Sequence, residues 1–323
     1  AKAAALREGQ VYGADSEFYK KTLDAYAAAT PAQIRTAMQQ WLGRPAFSVR
    51  LEPGDRPPYE EAKGPKKAKG ADLVTKKTVR ARPPIGETPP LDFPDVHHVT
   101  LSNGVKLAYA QRTTVPVTQL ALSFDAGFAA DVRSGRGLQN LTLSLLDEGA
   151  DGLTSQQIAE EQERLGATIT PSASMDNTSV GLFALKPNLA PSLTLLADIV
   201  RNPAFAKTEV ERVRGQQLSA IQSEKTQPSG LAMRELPPLL YGTAHPYGVP
   251  FTGSGTEEGV KAVTRDDLAA FHRRWLRPDN ATIFAVGDTT LAELVPLLEK
   301  NFGNWKAPAE AKQKELERRQ KDQ

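Results

Sequence analysis

The sequence predicts a two-layer α+β protein, a mixed sheet with helices packed on one face. Three observations predict it. Apolar and polar residues alternate at period two across 99–109, 117–124, 167–185 and 281–286, as half-buried strands do. Between and after these runs stand stripes of helical period, opened by Thr or Ser and closed by Gly. One unit also recurs: Thr30, Ile34, Met38, Trp41-Leu42, Pro45, Phe47 and Gly54-Asp55 match Thr264, Leu268, Phe271, Trp275-Leu276, Pro278, Ile283 and Gly287-Asp288. The Thr, Trp and Leu pairs are each 234 positions apart, and the Pro and Gly-Asp pairs 233. A shared helix–Trp-Leu–Pro–strand–Gly-Asp unit implies duplicated domains of about 200 to 240 residues.

Taken in order, residues 1–44 read as helix. Over 15–42 the apolar positions are Phe18, Leu23, Tyr26, Ala27, Ile34, Met38 and Trp41, and Thr30-Pro31 is an N-cap and first-turn pair that makes two helices of the stretch. Pro45 ends the second, and Phe47, Val49 and Leu51 alternate as a strand into a Pro53-Gly54-Asp55 turn. From 52 to about 94 the chain is rich in Pro, Lys and Arg. Such a segment buries too little apolar surface to offset its ordering entropy, so it reads as a solvated linker rather than a patch for acidic partners. A hairpin follows, with Val99, Leu101, Val105, Leu107 and Tyr109 flanking Ser102-Asn103-Gly104. Residues 117–124 form a second strand, 154–165 a capped helix closed by Gly166, and 167–185 a strand pair turning at Met175-Asp176-Asn177. Helices are expected at 187–200, 207–225, 229–241, 265–276 and 290–302, a strand at 281–286, and a charged tail after Pro308.

Composition excludes more than it assigns. Forty basic residues against 38 acidic give a net charge of +2, too balanced to argue for nucleic acid or an anionic membrane. No run approaches the roughly 18 apolar residues of a membrane span. The absence of cysteine excludes disulfides and thiolate metal sites, and suits an exported bacterial protein. The chain begins Ala-Lys-Ala-Ala-Ala, which fits a mature protein, an expressed segment or a proteolytic fragment.

The stretch around which the chain is organised is 137–150, Gly-Leu-Gln-Asn-Leu-Thr-Leu-Ser-Leu-Leu-Asp-Glu-Gly-Ala. It reads as an apolar helix entered and left at glycine, with Leu138, Leu141, Leu145 and Leu146 as its stripe. It resembles the metal-binding helix of the pitrilysin/insulinase metallopeptidases, the inverted zincins, whose zinc ligands and general base lie in an H-x-x-E-H core. Laid on this chain, those positions become Asn140, Leu143 and Ser144. Leu101-Ser-Asn-Gly104 resembles the family's opening L-x-N-G hairpin, and Tyr241-Gly242 with His245-Pro-Tyr-Gly248 its fG…HPYG segment. Residues 264–288 are similar to its T-x-x-d-l…F…y-x-P…G-D unit, so the resemblance covers most of 90–306.

The resemblance implies the pitrilysin/processing-peptidase-like (LuxS/metallopeptidase-like) fold, repeated along a polypeptide and closed around a peptide chamber. It divides the chain into 1–55, the end of a preceding copy; 56–96, the linker; 97–308, a non-catalytic copy; and 309–323, the tail. A catalytic member also carries a carboxylate ligand on a later helix, and the register set by Ile221 and Pro228 puts Ala220 there, or Ile221 after a one-residue shift. Zinc needs three protein ligands and an open position for water, with a base to take the proton. All are missing, so no metal and no catalysis are expected in this chain. The resemblance implies zinc in a catalytic domain upstream or in a partner subunit, and peptide as the shared substrate. It also implies an Arg/Tyr pair in a later domain, beyond the stretch matched here. The alternatives are a structural or assembly subunit of this fold and a free-standing peptide-binding module. A periplasmic setting is expected by analogy.

His245 and Tyr247 are the candidate substrate contacts, with a turn-stabilising hydrogen bond as the plainer reading of His245. His97 and His98 face opposite ways if extended. His272, followed by Arg273-Arg274, reads as a solvated helix face with Phe271 and Trp275 supplying the buried side. Asp147-Glu148 reads as ordinary surface charge, and Gly135-x-Gly137 is too short for a nucleotide loop.

Overall fold

In a computed structural model of the chain, the described residues are 2–52, 54, 86–87, 93–131, 137–243 and 245–310. They divide into two compact units, residues 1–85 and 86–323. Most of the linker expected over 56–96 and the tail from 311 onward lie outside the described residues.

The first unit holds three helices, α1 (Lys2–Gly13), α2 (Phe18–Ala28) and α3 (Pro31–Leu42). Thr30 caps α3 as the sequence predicts: its hydroxyl accepts from the Gln33 N–H at 3.3 Å while Gln33 Oε1 accepts from the Thr30 N–H at 2.9 Å. Gly9 is the only buried residue among those described here. The strand expected at 47–51 does not form. A strand exists through a neighbour's hydrogen bonds, and no pairing reaches this stretch, where Phe47 and Leu51 are 93% and 95% exposed.

The second unit is a sheet with helices. Its strands are β1 (Val96–Thr100), β2 (Lys106–Gln111), β3 (Val117–Phe124), the short ribbon β4 (Gly149–Ala150) and β5 (Leu153–Thr154), β6 (Thr168–Ala173), β7 (Thr178–Leu185) and β8 (Ala281–Gly287). Its helices are α4 (Leu138–Leu143), α5 (Ser155–Leu165), α6 (Leu189–Arg201), α7 (Lys207–Thr226), α8 (Pro228–Tyr241), α9 (Glu257–Ala262), α10 (Arg265–Trp275) and α11 (Leu291–Phe302). The main sheet runs β1-β2-β8-β3-β7-β6. The β2–β8 pair is parallel and the other pairs antiparallel, so the sheet is mixed as expected.

Alternation along the strands separates the two faces. Leu107, Tyr109, Leu120, Leu122, Phe124, Val180, Leu182, Ile283 and Ala285 are buried and join the helices in one core. The hairpin turn is docked on α11: Gly104 adopts φ +90°, and Asn103 Nδ2 donates to the carbonyls of Phe302 at 2.9 Å and Trp305 at 3.1 Å. Helix α5 has the predicted caps, a Thr154–Gln157 capping box and Gly166 in the left-handed region.

Two further readings need correction. The helix expected over 137–150 ends at Leu143. Beyond Ser144 the bonds tighten to i→i+3, Leu145 to Thr142, Leu146 to Leu143 and Glu148 to Leu145. The chain is turning there toward Gly149, at φ +138°, to enter β4. His272 is not on a solvated face. It is 9% exposed, with Nε2 2.7 Å from the Val200 carbonyl. Desolvation lowers its pKa, so it stays neutral there and donates that hydrogen bond.

Candidate functional site

The entry of α4 fixes the site. Gly137 sits at φ +103°, where a Cβ would fall 2.8 Å from the Ser254 carbonyl oxygen and from Val260. Glycine is required there on both counts. The buried Asp131 carboxylate accepts from the N–H groups of Gly137 at 2.6 Å and Gln139 at 2.7 Å, capping the helix from outside it. Burial pushes its pKa up to about 7, against the backbone donors of Gln139, Gly137 and Leu138, which pull it down. From α7, Gln217 Nε2 donates to the carbonyls of Gly137 at 3.0 Å and Ser254 at 2.8 Å. Gln139 Nε2 donates to Thr178 Oγ1 on β7 at 2.7 Å.

Helix α4 thus held presents Asn140, Leu143 and Ser144 to an open cavity of about 390 Å³. Phe128, Asp147, Thr252 and the β6 residues Pro171, Ser172 and Ala173 complete its lining. The structure therefore brings together three of the four positions that the resemblance singled out. Ala220 is exposed on α7 and lies outside the lining, and Ile221 is buried in place of a ligand. An amide, an aliphatic chain and a hydroxyl do not fit zinc, which takes imidazole, thiolate or carboxylate. No cluster of three or more such residues is found among the described residues.

His245 and Tyr247 stand apart from that cavity. His245 Nδ1 accepts the Tyr247 N–H at 3.0 Å, and its ring stacks on Tyr241 at 5.5 Å. Tyr247 donates its hydroxyl to Asp176 in the β6–β7 turn, 2.8 and 2.9 Å from the two carboxylate oxygens. His97 and His98 lie exposed on β1, opposite Tyr109 and Ala108.

A network that the sequence did not reveal holds the loop supplying Thr252. Arg234 on α8, 7% exposed, donates to Glu224 on α7 at 2.7 Å, to Ser254 Oγ at 2.8 Å and to the Gly255 carbonyl at 2.7 Å. Only the Gln227-Pro228 break, which ends α7 and opens α8, hints at it in the sequence. Asp147 was missed as well. It is half-buried in the cavity wall, and its neighbour Glu148, also half-buried, pairs with Arg212 at 2.5 Å, so neither is the ordinary surface charge the sequence suggests.

A six-stranded mixed sheet backed by helices, with an open cavity against Asn140, Leu143 and Ser144 that holds none of the donors zinc takes at those three positions, defines a metallopeptidase-like α+β domain. Residues 106–243 match the family model for insulinase (peptidase family M16), and residues 262–323 that for the peptidase M16 inactive domain. The chain belongs to peptidase family M16, the pitrilysin-type family. A probable mitochondrial-processing peptidase subunit beta from Schizosaccharomyces pombe is 29% identical over 226 residues, 68% of this chain and 47% of the relative. Subunit 1 of the bovine cytochrome b-c1 complex is 24% identical over 65% of this chain and 43% of its own. The crystal structure of a peptidase M16 inactive domain from Pseudomonas fluorescens superposes with a TM-score of 0.63 at 29% identity, covering 68% of this chain and 53% of that one. The chain spans about half the length of the curated relatives it matches or less. No described helix is long and apolar enough to cross a membrane.

Proposed function

We propose that the chain is part of a zinc-dependent M16 peptidase in which residues 97–308 form a non-catalytic wall of the peptide chamber. One observation carries this reading: a cavity lies against Asn140, Leu143 and Ser144, the positions that the resemblance aligns with the family's ligands and base. A wall needs the cleft and its rigid support, and it does not need the metal. The active domain lies in the same polypeptide or in a partner subunit, and zinc resides there.

Other features support the reading. Helices α3 and α10 begin with the same capping box, Thr30 with Gln33 and Thr264 with Asp267. The apolar positions matched by the sequence repeat are buried in the second unit, with Ile283 at 0%, and open in the first. On this basis residues 1–55 are the end of a preceding copy. The sheet face away from the helices exposes Phe183, Phe284 and Val286, an apolar surface suited to another part of such an assembly. The absence of cysteine supports a periplasmic setting. His245 and Tyr247 remain the proposed substrate contacts beside the β6–β7 turn.

The test measures zinc content, hydrolysis of a quenched fluorescent peptide, and anisotropy of a labelled extended peptide, all on this chain. The expected result is neither metal nor cleavage, with peptide binding. Stoichiometric zinc with chelator-sensitive cleavage would overturn it. A second reading, a structural subunit without peptide affinity, is favoured by the match to a cytochrome b-c1 subunit, and absence of binding would select it.

A further inference from the structure

We infer that the cavity beside α4 is a receptor for a cationic side chain, Lys or Arg, of a bound extended peptide, with Asp147 as its counter-ion. The inference rests on the peptide-binding reading above and adds the ligand's chemistry.

Three features of the cavity point the same way. First, Asp147 has no ion pair and no hydrogen bond from another residue among the described residues, although it is half-buried. Burial, the largest influence, raises its pKa; the adjacent Glu148 acts in the same direction and Arg212 against it. Arg212 is already committed to Glu148 at 2.5 Å and Glu209 at 2.7 Å. An unpaired carboxylate held partly out of water favours a cation that restores the lost solvation.

Second, the backbone edge beside the cavity is poor in donors. Edge strand β6 pairs with β7 alone. The Ile169 N–H turns away from β7 to reach Gln162 Oε1 at 2.7 Å. Antiparallel residues alternate between facing the partner and facing away, so 169, 171 and 173 are the outward set. The Ile169 donor is taken by Gln162 and Pro171 has none, which leaves the Ala173 N–H as the one outward donor of this edge. Beyond the strand, Phe128 N–H occupies the Ser174 carbonyl at 3.1 Å. The outward carbonyls of 169, 171 and 173 remain against one N–H, so this edge offers a ligand more acceptors than donors. A guanidinium or ammonium group supplies donors and needs no acceptor.

Third, the shape suits a long, amphipathic side chain. Phe128, Leu143, Pro171 and Ala173 give apolar surface for a methylene stem. Asn140, Ser144 and Asp147, spaced four and three residues apart, present polar groups to the head. About 390 Å³ is at the small end of the range for ligand sites, roughly 300–1,000 Å³.

The experiment compares three fluorescein-labelled ten-residue peptides of Ser, Thr and Val that differ at one central position, Arg, Lys or norleucine. Binding is read by anisotropy on the wild-type chain and on Asp147→Asn. The wild type should bind the Arg and Lys peptides about tenfold tighter than the norleucine peptide, and 0.5 M NaCl should narrow the ratio. Asp147→Asn should bring the three affinities together. Equal binding of all three by the wild type overturns the inference and leaves the peptide reading standing. N-propylguanidinium, followed by NMR shifts of the cavity residues, separates the remaining case. If no peptide binds yet this cation shifts Asp147 and its neighbours in the wild type alone, the cation site stands and the peptide reading falls. Silence from both probes overturns both.

Discussion

Asp131 is a residue whose protonation and structural role are coupled. Its carboxyl is pushed up to about 7 in the fold from an unfolded value of 3.8. Between those values the folded chain holds the extra proton, so stability falls as pH rises. The contribution is fully present below about 4 and lost as pH passes 7. His272 has the opposite sign: its pKa is lowered, so its contribution is present above the ordinary histidine value of 6.5 and lost on acidification. Urea unfolding of the wild type and Asp131→Asn at pH 4.5 and 8 separates the two. The wild type's advantage should shrink by about 1–4 kcal/mol as pH rises. A constant difference would mean that the helix N–H groups keep Asp131 ionised throughout. Neither residue was legible in the sequence: Asp131 caps a helix six residues away, and the Arg273-Arg274 pair concealed that His272 is turned toward α6.

At the level of elements, what could be read was what local chemistry decides. Thr154 with Gln157 and Gly166 marked α5, and Asn103-Gly104 marked the first hairpin, because caps and turns depend on residues a few positions apart. Thr264→Ala should cost about 1 kcal/mol, the usual worth of an N-cap, measured by urea unfolding; no loss would make the Thr264–Asp267 box incidental. What failed depended on distant partners. Residues 47–51 alternate correctly and still form no strand, since no described residue pairs with them. The helix over 137–150 stops early because its end must turn into β4. The same logic applies to the β6 edge, where Pro171 removes a donor. Pro171→Thr should restore it and strengthen binding of an extended peptide by about 1 kcal/mol, one net hydrogen bond. Unchanged anisotropy would show that the peptide does not lie along β6.

At the scale of the whole second unit, the two faces of the sheet pose different problems. The inner face is a packed core shared with the helices. The outer face carries a cross-strand row in register, Ala108 beside Phe284, Phe284 beside Ala121, Ala121 beside Gly181. Small residues on either side leave Phe284 standing 50% exposed, with Phe183 and Val286 near it at 37% and 43%. Burying such side chains is worth about 25 cal/mol for each Å² removed from water, and here most of that gain is unrealised. The period-two pattern in the sequence could locate these residues on a strand. It could not say that both faces of the central strands are apolar, which is the mark of a sheet covered on both sides. If the outer face is for docking and not for folding, Phe183→Ser with Phe284→Ser should change unfolding free energy by less than about 1 kcal/mol, the range for partly exposed sites. The same double variant should lower self-association in sedimentation velocity. A large loss of stability instead would place these two phenylalanines in the fold's own core and remove the main physical support for a covering domain.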